Sequence, residues 1–374
     1  MTFGEPDRRS SPPAPGAPRA VGAGASARAT WRIDVSEAVP LAGRFEIAVD
    51  VVVPLDPTAS PSRAALACLP GGFLSRAYFD LERDLERDLE RAGDRSYSFA
   101  EAMAKEGFVT LAFDHLGVGD SSKPEPLDAG YALGVEVIAR VNQLALERAL
   151  ERLAAGDPAQ GIPATRCEAT IGVGHSMGSA LTVEQQSAAR PHRALVLFSF
   201  TTRGVPLFLN DDQRGYANDP IRARRELGEI ARRSFGSPYP DRANNSESDR
   251  RAAFGVGTAP PAAEELLHSA STNLLGLAGL LSMIPGGYAP AAAQIDVPVY
   301  ILVGDHDLHG ERGLREELPR SPRVTTRRLE DCWHCHFVAN TRATLWREVS
   351  AWIHETLARD CDVRRGRSEE GGRA

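Results

Sequence analysis

The sequence has few cysteines, no long apolar run and no basic surface pattern. Its 374 residues include only five scattered cysteines, which argues against a disulfide-bonded scaffold: Cys68, Cys167, Cys332, Cys335 and Cys361. No run of about 18 apolar residues is present, so a membrane-spanning helix is not expected. Lys and Arg number 43 against 50 Asp and Glu, for a net charge of −7, and no basic stripe carries interleaved aromatic residues. These absences favour an acidic, soluble enzyme with neither a membrane nor a nucleic acid as partner.

Both ends of the chain have compositions typical of disorder. Residues 1–29 are rich in Pro, Gly, Ala and Arg, and residues 361–374 in Gly, Arg and Glu, so neither end buries enough apolar surface to offset chain entropy. Residues 1–29 also lack the apolar segment of a secretory signal peptide. We therefore expect disordered tails and a cytoplasmic protein with reduced thiols.

Between these ends, strand-like and helix-like segments alternate. The strand-like segments are short apolar or alternating runs, at 30–35, 44–54, 64–70, 108–114, 167–174, 193–200, 297–304 and 323–329. The main segments with helical periodicity are 98–107, 135–156, 177–189 and 341–358. This alternation predicts an α/β fold with a doubly wound, mostly parallel eight-stranded sheet. The last strand alternates apolar and polar residues, which predicts a sheet edge.

The alternation is interrupted over residues 204–293. This stretch holds polar, Pro-rich loops and apolar helical runs at 264–270 and 273–284. It predicts a helical lid inserted between two parts of one core, 30–203 and 294–360. The run 273–284 is apolar enough either to pack on the core or to line a hydrophobic pocket, and both interpretations stay open.

The tetrapeptide Asp-Leu-Glu-Arg occurs three times in succession, from Asp80 to Arg91. Its leucines recur every four residues, and opposite charges fall three residues apart, as in a solvated surface helix. A partner-binding helix is the alternative.

A nucleophile candidate lies in the segment Gly174-His175-Ser176-Met177-Gly178, which matches G-x-S-x-G. The segment closes one predicted strand and opens a predicted helix, as a nucleophile elbow must. The glycines are required because backbones on such a strained turn approach too closely for a Cβ. The positive end of the helix would also face a developing oxyanion. This context favours a catalytic Ser176 over an idle serine in a glycine-rich turn.

With this motif, residues 30–358 resemble the α/β-hydrolase fold superfamily. Residues 114–121, Asp-His-Leu-Gly-Val-Gly-Asp-Ser, are similar to the D-x-x-G-x-G-x-S loop after the family's fourth strand. The resemblance implies that Asp114 ties this loop, since the family's catalytic acid follows the serine in the chain.

The resemblance also implies where the acid lies. The family's acid ends a late strand, and the strand at 297–304 is followed by Asp305-His306-Asp307, similar to the family's G-x-x-D turn. Asp307 would accept a hydrogen bond from the imidazole Nδ1–H, and Asp305 is the alternative. No carboxylate closely follows the strand at 193–200, where some relatives carry the acid.

The base is expected between the last strand and the last helix. Relatives usually have G-x-G-H there, whereas this chain has Asp331-Cys332-Trp333-His334. The register implies His334 as the base, with His336 as the alternative.

The same loop has a metal-like spacing in Cys332-x-x-Cys335, which His306, Asp307 and His309 would extend. A structural zinc site needs a second ligand pair at its own spacing, and none follows. We therefore expect neither a metal nor another cofactor.

The resemblance implies an oxyanion hole made of two backbone N–H groups. One belongs to Met177, which follows the nucleophile. The other belongs to Phe73, because Leu69 to Arg76 is similar to the family's His-Gly-x element with Gly71 in the usual His position.

These residues imply a serine hydrolase that cleaves a carboxylic ester or thioester of a fairly apolar small molecule through an acyl-enzyme. The serine weighs against the epoxide hydrolases and haloalkane dehalogenases of this fold, which use aspartate. A C–C bond hydrolase or an acyltransferase would use the same residues. An inert binding protein of the same fold is the alternative from another class.

Overall fold

The computed structural model of the protein describes residues 26–55, 64–82, 95–241, 258–260 and 263–371. The strands are β1 (Ser26–Asp34), β2 (Glu46–Pro54), β3 (Ala64–Leu69), β4 (Val109–Phe113), β5 (Ala169–His175), β6 (Ala194–Phe198), β7 (Val299–Gly304) and β8 (Val324–Leu329). The helices are α1 (Phe99–Lys105), α2 (Val135–Ala155), α3 (Met177–Ala189), α4 (Asp211–Arg214), α5 (Pro220–Phe235), α6 (Ala263–Ser269), α7 (Gly276–Met283), α8 (Ala289–Ala292) and α9 (Arg342–Gly371).

Within the described residues, eight strands form one sheet in the order β1-β2-β4-β3-β5-β6-β7-β8. β2 pairs antiparallel with β1 and with β4, and the pairs from β4 to β8 are parallel. Strands β3, β4, β6 and β7 are buried throughout, as expected of central strands covered on both faces. β8 ends the sheet and exposes Arg327 and Arg328. The predicted α/β fold and its edge strand are confirmed.

The sheet order gathers the candidate residues at one edge. Parallel strands end on the same side of a sheet, which is where open α/β folds bind ligands. Ser176 directly follows β5, Asp305 directly follows β7, and the loop with His334 follows β8. These three strand ends are neighbours because β6 alone separates β5 from β7.

Two predicted boundaries differ from the structure. β1 begins at Ser26, inside the segment 1–29 predicted to be disordered, because residues 26–29 continue the ladder with Val51–Pro54. The predicted tail 361–374 is wrong over 361–371, where α9 continues to Gly371. Arg and Glu are good helix formers, and extending an existing helix avoids the cost of nucleation. Residues 1–25 and 372–374, and the leucine repeat from residue 83 onward, lie outside the described residues.

The helices α4 to α8 lie between β6 and β7, in the segment predicted as an insertion. Arg224 on α5 joins this segment to the core, since its guanidinium lies 2.7 Å from Glu184 on α3 and 2.6 Å from Glu136 on α2. Helix α7 is buried from Gly276 to Leu281. The segment therefore packs on the core, and its function as a lid stays a prediction. None of the described helices combines the length and the apolarity needed to cross a membrane.

The loop after β4 is built around Asp114, as the sequence predicts. Its fully buried carboxylate accepts from the backbone amides of Arg76 at 2.7 Å and Asp120 at 2.9 Å, and it pairs with the Arg76 guanidinium. A Cβ on Gly119 would lie 2.3 Å from Asp114 Oδ2, which explains the glycine. Asp114 thus ties the loop after β3 to the loop after β4.

Candidate active site

Ser176 lies on a strained turn between β5 and α3. Its φ of 53° is unusual for a residue other than glycine. A Cβ on Gly178 would lie 2.1 Å from the Leu69 carbonyl oxygen, and one on Gly174 would lie 2.4 Å from the Ser179 Cα. Only glycine fits at either position, so the G-x-S-x-G spacing is a steric requirement of this turn.

The serine, the histidine and the aspartate predicted from the sequence form one hydrogen-bonded chain. His334 Nδ1 lies 2.7 Å from Asp307 Oδ1, and His334 Nε2 lies 2.9 Å from Ser176 Oγ. A carboxylate can only accept, so Nδ1 carries the proton and Nε2 is free to accept from the Ser176 hydroxyl. The imidazole is therefore in the tautomer that a general base requires.

Asp307 is fully buried and surrounded by donors. Oδ1 accepts from His334 Nδ1 at 2.7 Å, Ser199 Oγ at 3.0 Å and Leu308 N at 2.7 Å, and Oδ2 accepts from His336 Nε2 at 3.1 Å and Gly304 N at 3.2 Å. Burial alone would raise the pKa of Asp307, but His334 and His336 outweigh it and hold that pKa well below its usual range. The carboxyl group is therefore an anion at neutral pH.

The alternative acid, Asp305, lies 3.8 Å from the His306 ring, at Nε2, and bonds the loop before His334. Its carboxylate accepts from the backbone amides of Asp331 at 3.1 Å and Cys332 at 2.8 Å. In the described part of the chain it makes no hydrogen bond to His334. Asp305 therefore anchors the loop that carries the histidine.

The loop with His334 folds without the glycines found in relatives. Asp331 takes the left-handed backbone itself, with φ 49°. The glycine that makes room for this loop is Gly304, at the end of β7. A Cβ on Gly304 would lie 2.2 Å from the Cys332 carbonyl oxygen. His175 fixes the loop further by donating from Nε2 to the His334 carbonyl oxygen at 2.9 Å. Burial, with His334 and His336 nearby, lowers the pKa of His175 well below its usual value, so this ring is neutral.

The two predicted oxyanion donors lie beside Ser176. Met177 begins α3, and Phe73 has φ 61° in the turn after β3. Among the described residues, neither amide donates a hydrogen bond to another protein group. The Phe73 carbonyl accepts from the Thr272 amide at 2.9 Å, which holds this turn against the segment between β6 and β7. Both N–H groups are therefore available to a ligand.

A cavity of about 260 Å³ opens over Ser176. Its lining is mostly apolar, with Phe73, Leu74, Met177, Ala180, Phe200, Val205, Phe208, Leu274, Met283 and Leu308 among the contributors. No Asp, Glu, Lys or Arg side chain contributes to the lining formed by the described residues. From the apolar run 273–284, Leu274, Gly279, Ser282 and Met283 line the cavity, while Gly276 to Leu281 are buried, so both interpretations of that run hold.

Ser199 was not predicted from the sequence, and His309 was named only as a possible extension of a metal site. Ser199, directly after β6, and His309, after Asp307, both line the cavity. Their side chains lie 3.3 Å apart. A carboxylate at the end of β6 would be recognisable as an acid candidate, whereas a serine in that position carries no sequence signal.

The residues considered for a metal site make other contacts. The His334 and His336 rings bond Asp307, and the Cys332 thiol lies 3.3 Å from the Trp333 carbonyl oxygen. The described residues contain no cluster of three or more His, Cys, Asp or Glu side chains arranged to hold a metal ion.

A serine on a strand-to-helix turn, an acid after β7 and a histidine after β8, on this sheet order, form the arrangement of an α/β-hydrolase. The family model described as the alpha/beta hydrolase family matches residues 66–345. The chain belongs to the alpha/beta hydrolase family.

Several solved structures share the fold at low sequence identity. A putative aryl esterase from Burkholderia cenocepacia is 15% identical with a TM-score of 0.55, covering 88% of this chain and 100% of that chain. Peroxisomal α-β-hydrolase Lpx1 from Saccharomyces cerevisiae is 14% identical with a TM-score of 0.50, covering 93% and 98%. The thioesterase domain from the curacin biosynthetic pathway is 15% identical with a TM-score of 0.50, covering 86% and 99%. None of the curated proteins compared with the chain matches it.

Proposed function

We propose that the protein is a serine hydrolase that cleaves a carboxylic ester or thioester of a neutral, fairly apolar small molecule. The observation that carries the proposal is the hydrogen-bonded chain from Asp307 through His334 to Ser176, which ends at an apolar cavity. A nucleophile, a base in the right tautomer and a buried anion within hydrogen-bond reach are the parts that acyl transfer needs.

In the acylation step, Ser176 Oγ attacks the carbonyl carbon while His334 Nε2 takes the hydroxyl proton. The bond from the carbonyl carbon to the leaving oxygen or sulfur then breaks, and the imidazolium returns the proton to the departing alcohol or thiol. This leaves an acyl group on Ser176. Water repeats the sequence, with His334 as base and then acid, and releases the carboxylic acid and free Ser176.

The carboxylate of Asp307 stabilises the imidazolium that forms in both steps. Its buried charge lies 2.7 Å from Nδ1, where the interaction is screened less than in water. We assign the backbone amides of Phe73 and Met177 to the oxyanion, because both are free and border the cavity beside Ser176. Removing one such donor typically costs about 2.7–4 kcal/mol in the transition state.

The cavity lining supports a neutral acyl group. An ionised substrate group buried there would lack a charged partner, and burying an unpaired charge is strongly unfavourable. Ser199, Thr201 and Ser282 are among the few polar residues in the lining.

The test is covalent labelling of the purified protein with a fluorophosphonate, followed by hydrolysis of p-nitrophenyl esters and acyl thioesters. We expect labelling of the wild type and its loss in Ser176→Ala. A wild type that is not labelled would favour the inert binding protein. Labelling without hydrolysis of any ester or thioester would direct the search to C–C bond cleavage, or to acyl transfer tested with added alcohols and amines.

A further inference from the structure

Ser199 occupies the position on β6 that Ser176 occupies on β5. His175 and Phe198 are paired in the parallel ladder between these strands, so Ser176 and Ser199 are the next residues on each. Both have left-handed backbones, with φ 53° and 57°. Such a backbone is unfavourable for a residue other than glycine, and this strain is concentrated at functional sites. The Ser199 amide donates to the Leu302 carbonyl of β7 at 2.8 Å, which fixes the turn.

The Ser199 hydroxyl lies between the acid and the base. Its Oγ is 3.0 Å from Asp307 Oδ1, 3.1 Å from His334 Nδ1 and 3.3 Å from His309 Nε2. The carboxylate is the charged acceptor among these groups, so it is the preferred acceptor of the hydroxyl proton. Ser199 is only 6% exposed, which leaves little water to replace its hydrogen bond.

We infer that Ser199 is a positioning residue, which holds Asp307 Oδ1 in line with His334 Nδ1 and so aims Nε2 at Ser176. The inference rests on the proposed function. Ser199 acts from the strand between the nucleophile strand β5 and the acid strand β7. Two of the donors to Asp307, the amides of Leu308 and Gly304, belong to its own turn, whereas Ser199 holds the carboxylate from the end of a different strand.

A positioning role predicts that the loss appears in kcat and not in KM. If Ser199 acts only through Asp307, removal of its hydroxyl lowers kcat by the same factor for every substrate. If Ser199 instead binds the substrate, which its place in the cavity wall would allow, the loss appears in KM and depends on the acyl group.

The experiment compares Ser199→Ala, Ser199→Gly and wild type on p-nitrophenyl acetate and butyrate. Ala keeps the Cβ and the backbone strain, whereas Gly removes the hydroxyl and relieves the strain. We expect kcat to fall about tenfold in both variants, the usual scale for a hydrogen bond to a charged group, with KM within about twofold on both esters. Gly should unfold at a higher temperature than Ala.

The matched control is Ser321→Ala. Its hydroxyl bonds the carbonyl oxygens of Val297 and Arg323, at the amino end of β7 and away from the site. Its kcat should equal that of the wild type. A second readout needs no turnover: the low-field proton resonance of His334 Nδ1–H, identified by its loss in Asp307→Asn. This resonance should move upfield in Ser199→Ala, because Asp307 Oδ1 is no longer held in line with His334 Nδ1 and the hydrogen bond between them weakens.

Three results would overturn the positioning role. They are a Ser199→Ala kcat within twofold of the wild type, a loss carried by KM that differs between the two esters, and a recovery of kcat in Ser199→Gly, which would assign the loss to backbone strain. If the wild type is not labelled at Ser176 and hydrolyses no ester, the proposed function fails, and the role of Ser199 fails with it.

Discussion

His336 donates a hydrogen bond from Nε2 to Oδ2 of Asp307 over 3.1 Å, and both side chains are fully buried. The same carboxylate accepts from His334 on its other oxygen, so it lies between two imidazoles. Only the His334 ring reaches Ser176, with Nε2 at 2.9 Å. The two histidines are two residues apart in one loop, yet one faces the nucleophile and the other is enclosed in the core.

The two histidines should respond differently to the same substitution. His334→Gln removes the base that contacts Ser176, and we expect kcat to fall by about 10⁴ or more. His336→Gln keeps an N–H donor for Asp307, so its kcat should stay within about tenfold of the wild type. Steady-state kinetics on one ester measures both variants. Equal losses would mean that both rings take part in proton transfer.

The two aspartates allow a matched comparison. Asp307→Asn exchanges the charge that stabilises the imidazolium for an amide, and kcat should fall on the order of 10⁴-fold. Asp305→Asn weakens the anchoring of the Asp331 and Cys332 amides, so we expect a lower melting temperature and less than a tenfold loss of kcat. If kcat falls on the order of 10⁴-fold in Asp305→Asn and is nearly normal in Asp307→Asn, the catalytic acid is Asp305.

The sequence predicted the parts of this site that depend on local backbone sterics. Gly174 is required by contacts within the turn itself, and Gly178 by the Leu69 carbonyl oxygen at the end of β3, so the glycine spacing around Ser176 records both requirements. The strands were recognisable because central parallel strands must be apolar on both faces. The end of α9 was predicted too early because composition alone does not show that a helix already formed before residue 361 can be extended without a new nucleation step.

The remaining features arise only when separate strands meet. Ser199 becomes part of the site because β6 pairs with both β5 and β7, which no local pattern encodes. The same holds for the loop before His334, where relatives carry glycines. Here the space is provided by Gly304 on the neighbouring strand, 28 positions before Cys332 in the sequence.

Gly178 should tolerate no larger residue. In Gly178→Ala the new Cβ would meet the backbone oxygens of Leu69 at 2.1 Å and Pro70 at 2.5 Å, so the turn that carries Phe73 would have to move. We expect loss of labelling by fluorophosphonate and destabilisation of about 1–3 kcal/mol from overpacking. Gly310→Ala is the control, because its Cβ would point into open space. Denaturant unfolding and labelling rates measure both, and full labelling of Gly178→Ala would contradict the steric argument.

His192 should make the fold less stable as the pH falls. Burial lowers the pKa of this histidine to about 3, from the ordinary value of 6.5. The unfolded chain therefore takes up a proton below pH 6.5 while the native ring stays neutral, so stability is lost as the pH falls from 6.5 toward 3. Between pH 7 and pH 5 the loss from this ring is about 2 kcal/mol. Urea unfolding at both pH values gives the change in the free energy of unfolding between them, and this change should be smaller by that amount in His192→Gln. If the change is the same in the variant as in the wild type, groups other than His192 cause it.

Phe208 should control how the enzyme discriminates among acyl chains. Its side chain is 51% exposed and also lines the cavity, as does Leu308 at 40%, so an apolar rim continues outward from Ser176. A short acyl group would be enclosed without reaching this rim, whereas a longer chain would cover it and gain binding free energy per methylene. Phe208→Ala should therefore leave kcat/KM for p-nitrophenyl acetate unchanged and lower it about three- to tenfold for the octanoate. Ile221→Ala, which trims an exposed residue on α5 outside the cavity lining, should alter neither ester. An equal loss of kcat/KM on acetate and octanoate would mean that Phe208 supports the structure of the cavity wall and does not recognise the acyl chain.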